Sequence, residues 1–246
     1  MKKNMKKSLF FALIFSIVGF TQIAAAKEPQ MDEYTLENKT LKIYFFGHAS
    51  LMLDYDGTII HVDPVAAYAD YDRQPKADII LVTHQHGDHL DKNSIAKITK
   101  KSTVLILNPA GFAIVKSGIA LANGKSWQSG DITIEAVPAY NTTPGRDKYH
   151  PKGRDNGYIL TLGRTRIYIA GDTENIPEMA NIKNITIAFL PMNQPYTMTP
   201  EQVAAAAKVI KPKILYPYHY GSTDVKRLKK LMAGIKDVEL KIRDMQ

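Results

Sequence analysis

Apolar and polar side chains alternate in short runs along residues 41–62. Residues 41–46, 51–55 and 58–61 each predict a strand, because period-two alternation gives a pleated ribbon one buried face. Asp56-Gly57, between the last two, is a hairpin signal, since the favoured two-residue turns need positive φ. Ile79–Val82 is wholly apolar and predicts a buried strand running into a polar, histidine-rich stretch. Residues 103–107, 132–137, 158–162, 166–170, 185–190, 214–216 and 238–242 complete the predicted β set, several of them closed by Gly or Pro.

Helical spacing appears mainly toward the end of the chain. Thr199-Pro200-Glu201-Gln202 is a capping box with proline at the first helical position, and the helix it starts runs to about Ile210, before Pro212. Val225, Leu228, Leu231, Met232 and Ile235 fall on one helical face, with Lys226, Arg227, Lys229 and Lys230 forming a solvated face around them. Antiparallel β, then mixed β/α, then β-α-β alternation predicts one α/β domain of two sheets covered by helices. No linker, low-complexity segment or short repeat interrupts it.

Composition narrows the chemistry. The 246 residues are 45% hydrophobic and 23% charged, which excludes a disordered tail or a fibre. There is no cysteine, so a disulfide framework, a Cys-ligated zinc site, an iron–sulfur cluster and a thiol nucleophile are excluded. Any metal site must use histidine and carboxylate. The formal charge of +8 first suggests a nucleic-acid partner. However, Lys2, Lys3, Lys6 and Lys7 precede an apolar run over 8–23 and then Ala24-Ala25-Ala26, the pattern of a secretory signal peptide. Cleavage after Ala26 would leave a domain over 27–246 with 28 basic against 24 acidic residues, or +4. That surplus is too mild to argue for nucleic acid. The apolar run is shorter than the ~20 residues a spanning helix needs. The expectation is therefore a periplasmic or secreted protein with no stable membrane insertion after cleavage, acting on a small molecule, with its oligomeric state open.

The chemistry concentrates in Thr83-His84-Gln85-His86-Gly87-Asp88-His89-Leu90, directly after the apolar strand. Three of the seven histidines fall within six residues, beside one aspartate. In an extended segment His84 and His86 point the same way and can share an ion, while a following turn carries Asp88 and His89 toward a neighbouring position. Imidazole and carboxylate suit zinc, and also iron or manganese.

His84-x-His86-x-Asp88-His89 after an apolar strand resembles the metallo-β-lactamase-fold hydrolases. The resemblance runs from Gly47-His48-Ala49-Ser50 through Asp63-Pro64 and Gly171-Asp172-Thr173 to Pro217-Tyr218-His219-Tyr220-Gly221, in the family's order. It implies an αββα sandwich with a site for two divalent metal ions, zinc first and manganese or iron as alternatives, at one edge of the sheets. It also implies His84 and His86 as ligands of the first ion, Asp88, His89 and His219 as ligands of the second, and Asp172 as the bridge. One match fails: Tyr140 stands where the family supplies a third histidine to the first ion. Tyr140 is then a ligand or a hydrogen-bond donor to substrate, or else His150 reaches in from its loop. Tyr140-Asn141, His150-Pro151-Lys152-Gly153 and Tyr196-Thr197-Met198-Thr199 resemble a subgroup akin to ascorbate-6-phosphate lactonases and phospholipase-D-like members.

The reaction implied is hydrolysis of a lactone, phosphodiester or amide by a metal-bridging hydroxide. Asp88, Tyr140 and His150 are the candidate catalytic residues, and His48, Asn141 and Tyr196 the candidate substrate contacts. A β-lactamase-type enzyme and a non-catalytic metal-binding member of the fold are the alternatives. His61, flanked by Ile59 and Ile60, reads as structural.

Overall fold

The computed structural model describes residues 28–246; the expected signal segment lies outside them. Two seven-stranded sheets pack face to face. The first contains β1 (Gln30–Leu36), β2 (Lys39–Gly47), β3 (Ser50–Tyr55), β4 (Thr58–Val62), β5 (Ile79–Val82), β6 (Val104–Leu107) and β7 (Ile119–Ala120), in chain order. The second contains β8 (Ser126–Ser129), β9 (Ile132–Ala139), β10 (Asp155–Leu162), β11 (Thr165–Ile169), β12 (Ile187–Pro191), β13 (Ile214–Tyr218) and β14 (Glu239–Leu240), also in chain order. Each sheet begins as an antiparallel meander, β1 to β4 and β8 to β11, and continues in parallel strands.

The change from antiparallel to parallel pairing positions the site. Parallel neighbours need crossovers, so connections gather at the carboxyl ends of β5, β11 and β13, where crevices form in such sheets. The helices supply crossover segments and outer layers: α1 (Lys92–Ile98), α2 (Pro109–Val115), α3 (Pro200–Ile210) and α4 (Val225–Met232). Leu41, Ile43, Leu51, Leu53, Ile134, Leu160, Ile167 and Phe189 belong to the main core, and Val203, Ala207, Leu228 and Met232 extend it under α3 and α4. A smaller cluster joins Ile95 and Ile98 of α1 to Ile80 and Val82 of β5. The architecture is the αββα sandwich.

Local signals explain most boundaries. Asp56 and Gly57 adopt φ of 51° and 88°, the two positive values this hairpin needs. The Thr199–Gln202 capping box forms in both directions. Several expectations require correction. The strand expected over 238–242 is only Glu239–Leu240, and β10 begins at Asp155 rather than residue 158. Strands β1, β7 and β8 and helices α1 and α2 carried no recognised pattern. β1 (QMDEYTL) is an exposed edge strand with few apolar positions, and α1 buries only Ser94, Ile95 and Ile98. Such elements form because neighbours pair with them or cover them, a tertiary cause that local periodicity does not carry.

Candidate metal centre

Asp63 organises the loop that follows β5. It sits fully buried at φ 44°, just after β4. Its carboxylate accepts from the Thr83 amide at 2.8 Å, from Thr83 Oγ1 at 2.7 Å and from His89 Nδ1 at 2.8 Å. A buried carboxylate so supplied fixes the His89 tautomer and turns Nε2 outward. The Asn156 amide donates to the Thr83 carbonyl at 3.1 Å, tying this loop to the second sheet.

Asp172 lies opposite, after β11. Gly171 adopts φ 65°, and a Cβ there would run into the Asn156 carbonyl, so only glycine lets the chain turn Asp172 inward. His219 follows β13 at φ 47°. Its amide donates to the His48 carbonyl at 2.7 Å, and its ring lies 3.6 Å from the His48 ring.

Three donor groups result. His84, His86 and His150 converge on one side, and His48, Asp88, His89 and His219 on the other; His84, His89 and Asp172 form a third grouping between them. Asp172 Oδ2 lies 3.9 Å from His84 Nε2 and 3.4 Å from His150 Nε2. It is also 3.3 Å from His219 Nε2, while Asp172 Oδ1 is 3.5 Å from His89 Nε2. One carboxylate thus faces both clusters. Donors sharing a first-row ion at about 2.1 Å stand roughly 3.0 to 4.2 Å apart, so these spacings suit two neighbouring ions. Four buried polar atoms that point into the cluster or lie on its rings, His89 Nε2, Asp172 Oδ1 and both ring nitrogens of His219, have no hydrogen-bond partner. Buried polar atoms are rarely left so, and a metal would satisfy those aimed at the centre. The residues fit a pair of divalent ions.

Electrostatics agree. Burial opposes ionisation of Asp172, but the adjacent His219 and His89 hold its carboxyl well below the usual carboxylate range. Burial also disfavours a charged His89, yet Asp172 and Asp63 raise its pKa well above the ordinary imidazole value. Burial, reinforced by His89, pushes His84 well below it. The cluster holds negative charge that a cation would neutralise, and metal binding would displace the proton from His89.

The expected site residues divide into two sets. His84, His86, Asp88, His89, Asp172 and His219 come together, and His150 joins them. His150 is 1% exposed, and its Nδ1 is bonded to Asp155 Oδ2 at 2.9 Å. His48 also reaches the cluster, with Nε2 3.1 Å from Asp88 Oδ2. Tyr140 does not: its hydroxyl donates to Glu178 at 2.7 Å, Lys152 lies over its ring, and it is not among the residues lining the cavity at the cluster. Expecting it at the chemistry required correction because β9 ends at Ala139 and the chain turns away toward Glu178. Asn141 also faces elsewhere: its amide donates to the Tyr196 carbonyl at 2.7 Å and the Arg146 carbonyl at 3.2 Å, bracing two loops. Tyr196 stands at the cavity mouth, edge-to-face with Tyr149 at 4.9 Å. Asp155, Tyr149 and Asn193 escaped sequence reasoning. For Asp155 a signal existed, a carboxylate five residues after a histidine that needs orienting.

A sheet sandwich with this paired His/Asp cluster at its edge defines a metallo-β-lactamase-fold protein. The family model for the β-lactamase superfamily domain matches residues 42–219. A UPF0173 metal-dependent hydrolase from Thermococcus kodakarensis is 32% identical over 196 residues, 74% of this chain and 85% of its own length. A crystal structure of a Parabacteroides distasonis protein classed with the metal-dependent hydrolases is 54% identical and superposes with a TM-score of 0.87, over 89% of this chain and all of that one. The metallo hydrolase Igni18 from Ignicoccus hospitalis shares the fold, with 22% identity and a TM-score of 0.71 over 84% of this chain and 96% of its own. The chain belongs to the β-lactamase superfamily, within the UPF0173 metal-dependent hydrolases.

Proposed function

We propose that the protein is an exported hydrolase that opens a small, uncharged lactone or amide at a two-metal centre. The observation that carries this reading is the placement of Asp172 between two donor clusters, with unpartnered buried ligand atoms facing it. His84, His86 and His150 would hold the first ion, Asp88, His89 and His219 the second, and Asp172 both. Bound there, zinc, or manganese or iron, would supply Lewis acidity, acidifying water and polarising the substrate carbonyl.

The chain's own groups do the rest. The Asp88 carboxylate is 44% exposed and lines the cavity, and its pKa is lowered because the His48 hydrogen bond and nearby histidines outweigh the cost of burial. It stays ionised, so it would accept a hydrogen bond from the attacking water and orient it, and is placed to relay the proton that water loses toward the departing oxygen or nitrogen. Asp63 and Asp155 hold the His89 and His150 rings in register. Tyr149 and Tyr196 wall the approach on one side.

Charge favours a neutral substrate. The cavity, about 230 Å³, is lined by His86, Asp88, Tyr149, His150, Asp172, Asn193, Tyr196 and His219, with no Lys or Arg. Of the adjoining loop's cations, Arg146 pairs with Glu174, Lys152 with Glu178 and Arg154 with Asp155, while Lys148 lies over the Tyr149 ring. A phosphodiester would find no unpaired cation among the described residues lining this cavity. Export rests on the basic, apolar and small-residue order of residues 1–26, and no helix among the described residues is long and apolar enough to cross a membrane.

The test is hydrolysis by metal-loaded protein of lactone, amide, phosphodiester and β-lactam panels, with cell fractionation beside it. Turnover of lactones or amides at least about tenfold above phosphodiesters is expected. Phosphodiester preference overturns the neutral-substrate reading, β-lactam preference selects the β-lactamase alternative, and retention in the cytoplasm overturns export.

A further inference from the structure

His48 stands outside the donor set that the family resemblance supplies, yet the fold holds it against the second cluster from several directions. Its backbone is left-handed at φ 53°, a conformation in which histidine is enriched among non-glycine residues. Its amide donates to the Gln246 carbonyl at 3.1 Å, and its carbonyl accepts from the His219 amide at 2.7 Å. The Tyr68 ring stacks on the imidazole at 4.9 Å and 8°. The ring therefore has little freedom to leave. Its Nε2 is 3.1 Å from Asp88 Oδ2, which itself lies 3.8 Å from His219 Nε2 and 3.9 Å from His89 Nε2. The four donors lie within 4.8 Å of one another.

The geometry points to His48 as a fifth protein donor to the second metal ion, alongside Asp88, His89, His219 and Asp172. This rests on the two-metal reading above. Its consequence is selectivity. Three or four protein donors suit tetrahedral zinc, whereas five donors plus a water make a six-coordinate site, the preference of manganese and other ions that favour octahedral surroundings. The first cluster, with three imidazoles and the shared Asp172, keeps four-coordinate character. The two centres then prefer different ions. The competing role for His48, a hydrogen bond that only orients Asp88, predicts no change in coordination number when the ring is removed.

The test is calorimetric titration of the full metal-free protein with Mn²⁺ and with Zn²⁺, together with visible absorption after Co²⁺ loading, for wild type and His48→Asn. Asparagine tolerates the left-handed backbone but lacks the imidazole's reach. Thermal melting of the metal-free forms checks folding, and His48→Gln replaces His48→Asn if the latter does not fold. The expected result is two sites in wild type and loss of at least about 100-fold in Mn²⁺ affinity at one of them in the variant. Zn²⁺ affinity should fall less than tenfold. The weak Co²⁺ bands of a six-coordinate ion should strengthen as that site falls to five-coordination in the variant. Unchanged Mn²⁺ affinity and unchanged Co²⁺ bands in a folded variant overturn the assignment and leave the two-metal reading intact. Fewer than two sites in wild type overturns both.

Discussion

The two donor clusters face the same carboxylate but are built differently. The second is held close against the sheets: His89, in the loop after β5, is clamped by buried Asp63, His219 follows β13, and His48 is bonded through its backbone on both sides. The first takes His84 and His86 from the loop after β5, but its third imidazole comes from an irregular loop, over residues 141–154. His150 depends on Asp155 at the start of β10 and on the Asn141 amide, which donates to the His150 carbonyl at 2.8 Å. A ligand set needs converging atoms, and a loop supplies one as well as a strand end when carboxylates and carbonyls brace it. The difference also assigns vulnerability: disturbance of the loop should reach the first centre and spare the second.

Asp172 is common to both clusters, so its removal should erase the distinction. Asp172→Asn should leave less than one tightly held ion per chain and lower kcat by at least about three orders of magnitude. Elemental analysis beside single-turnover kinetics checks this. Retention of two ions would mean that Asp172 does not join the centres. His150→Ala comes next and should divide them. One ion should weaken by roughly 100-fold or more while the other stays, because the second cluster shares no bond with the 141–154 loop except through Asp172. Equal loss at both sites in calorimetry would show that the centres are not separable.

Tyr140→Phe measures the same contrast from the other side. Tyr140 occupies the sequence position of the missing histidine, but its hydroxyl serves Glu178. Its loss should change kcat by less than about threefold. It should lower stability by about 1 kcal/mol, the net worth of one partly exposed hydrogen bond. Hundredfold loss of activity or of an ion would return Tyr140 to the centre.

The pair Tyr140 and His150 shows how far the sequence could be read. The sheet strands other than β1, β7 and β8 were legible because alternation and apolar runs record burial directly, as in Leu41, Ile43, Leu51 and Leu53, all fully buried. The convergence of six side chains, His84, His86, Asp88, His89, Asp172 and His219, was legible because they follow strands in a fixed order, so a local motif carries their placement. His150 remained one of two alternatives because an irregular loop has no period: its conformation is set by Asp155, Asn141 and Glu174, which accepts from the Thr142 and Thr143 amides at 2.8 and 2.7 Å. Substrate contacts were less legible still. Asn141 and Tyr196 are tied to each other, and only Tyr196 reaches the cavity.

A histidine outside both clusters gives the smallest expected effect on them and a separate one on stability. His61 lies fully buried on β4 between Phe46 and Tyr71, with Nε2 3.2 Å from the Pro75 carbonyl. Burial lowers its pKa to about 4, the carbonyl only partly opposing this. The folded value lies below the ordinary 6.5 of an unfolded chain, so the unfolded state binds the extra proton between them. Stability from this group is therefore full above about pH 6.5 and is lost as pH falls toward 4. Between pH 7 and pH 5 the loss should be roughly 2 kcal/mol, at about 1.4 kcal/mol per pH unit. Denaturant unfolding of metal-loaded wild type and His61→Gln isolates the term, since the glutamine cannot titrate and bound ions keep the cluster histidines from protonating. The difference between the two proteins should shrink by that amount from pH 7 to pH 5, with metal content unchanged. A pH-independent difference would mean that His61 titrates alike in the folded and unfolded chain, and that its burial among aromatic rings does not keep it neutral.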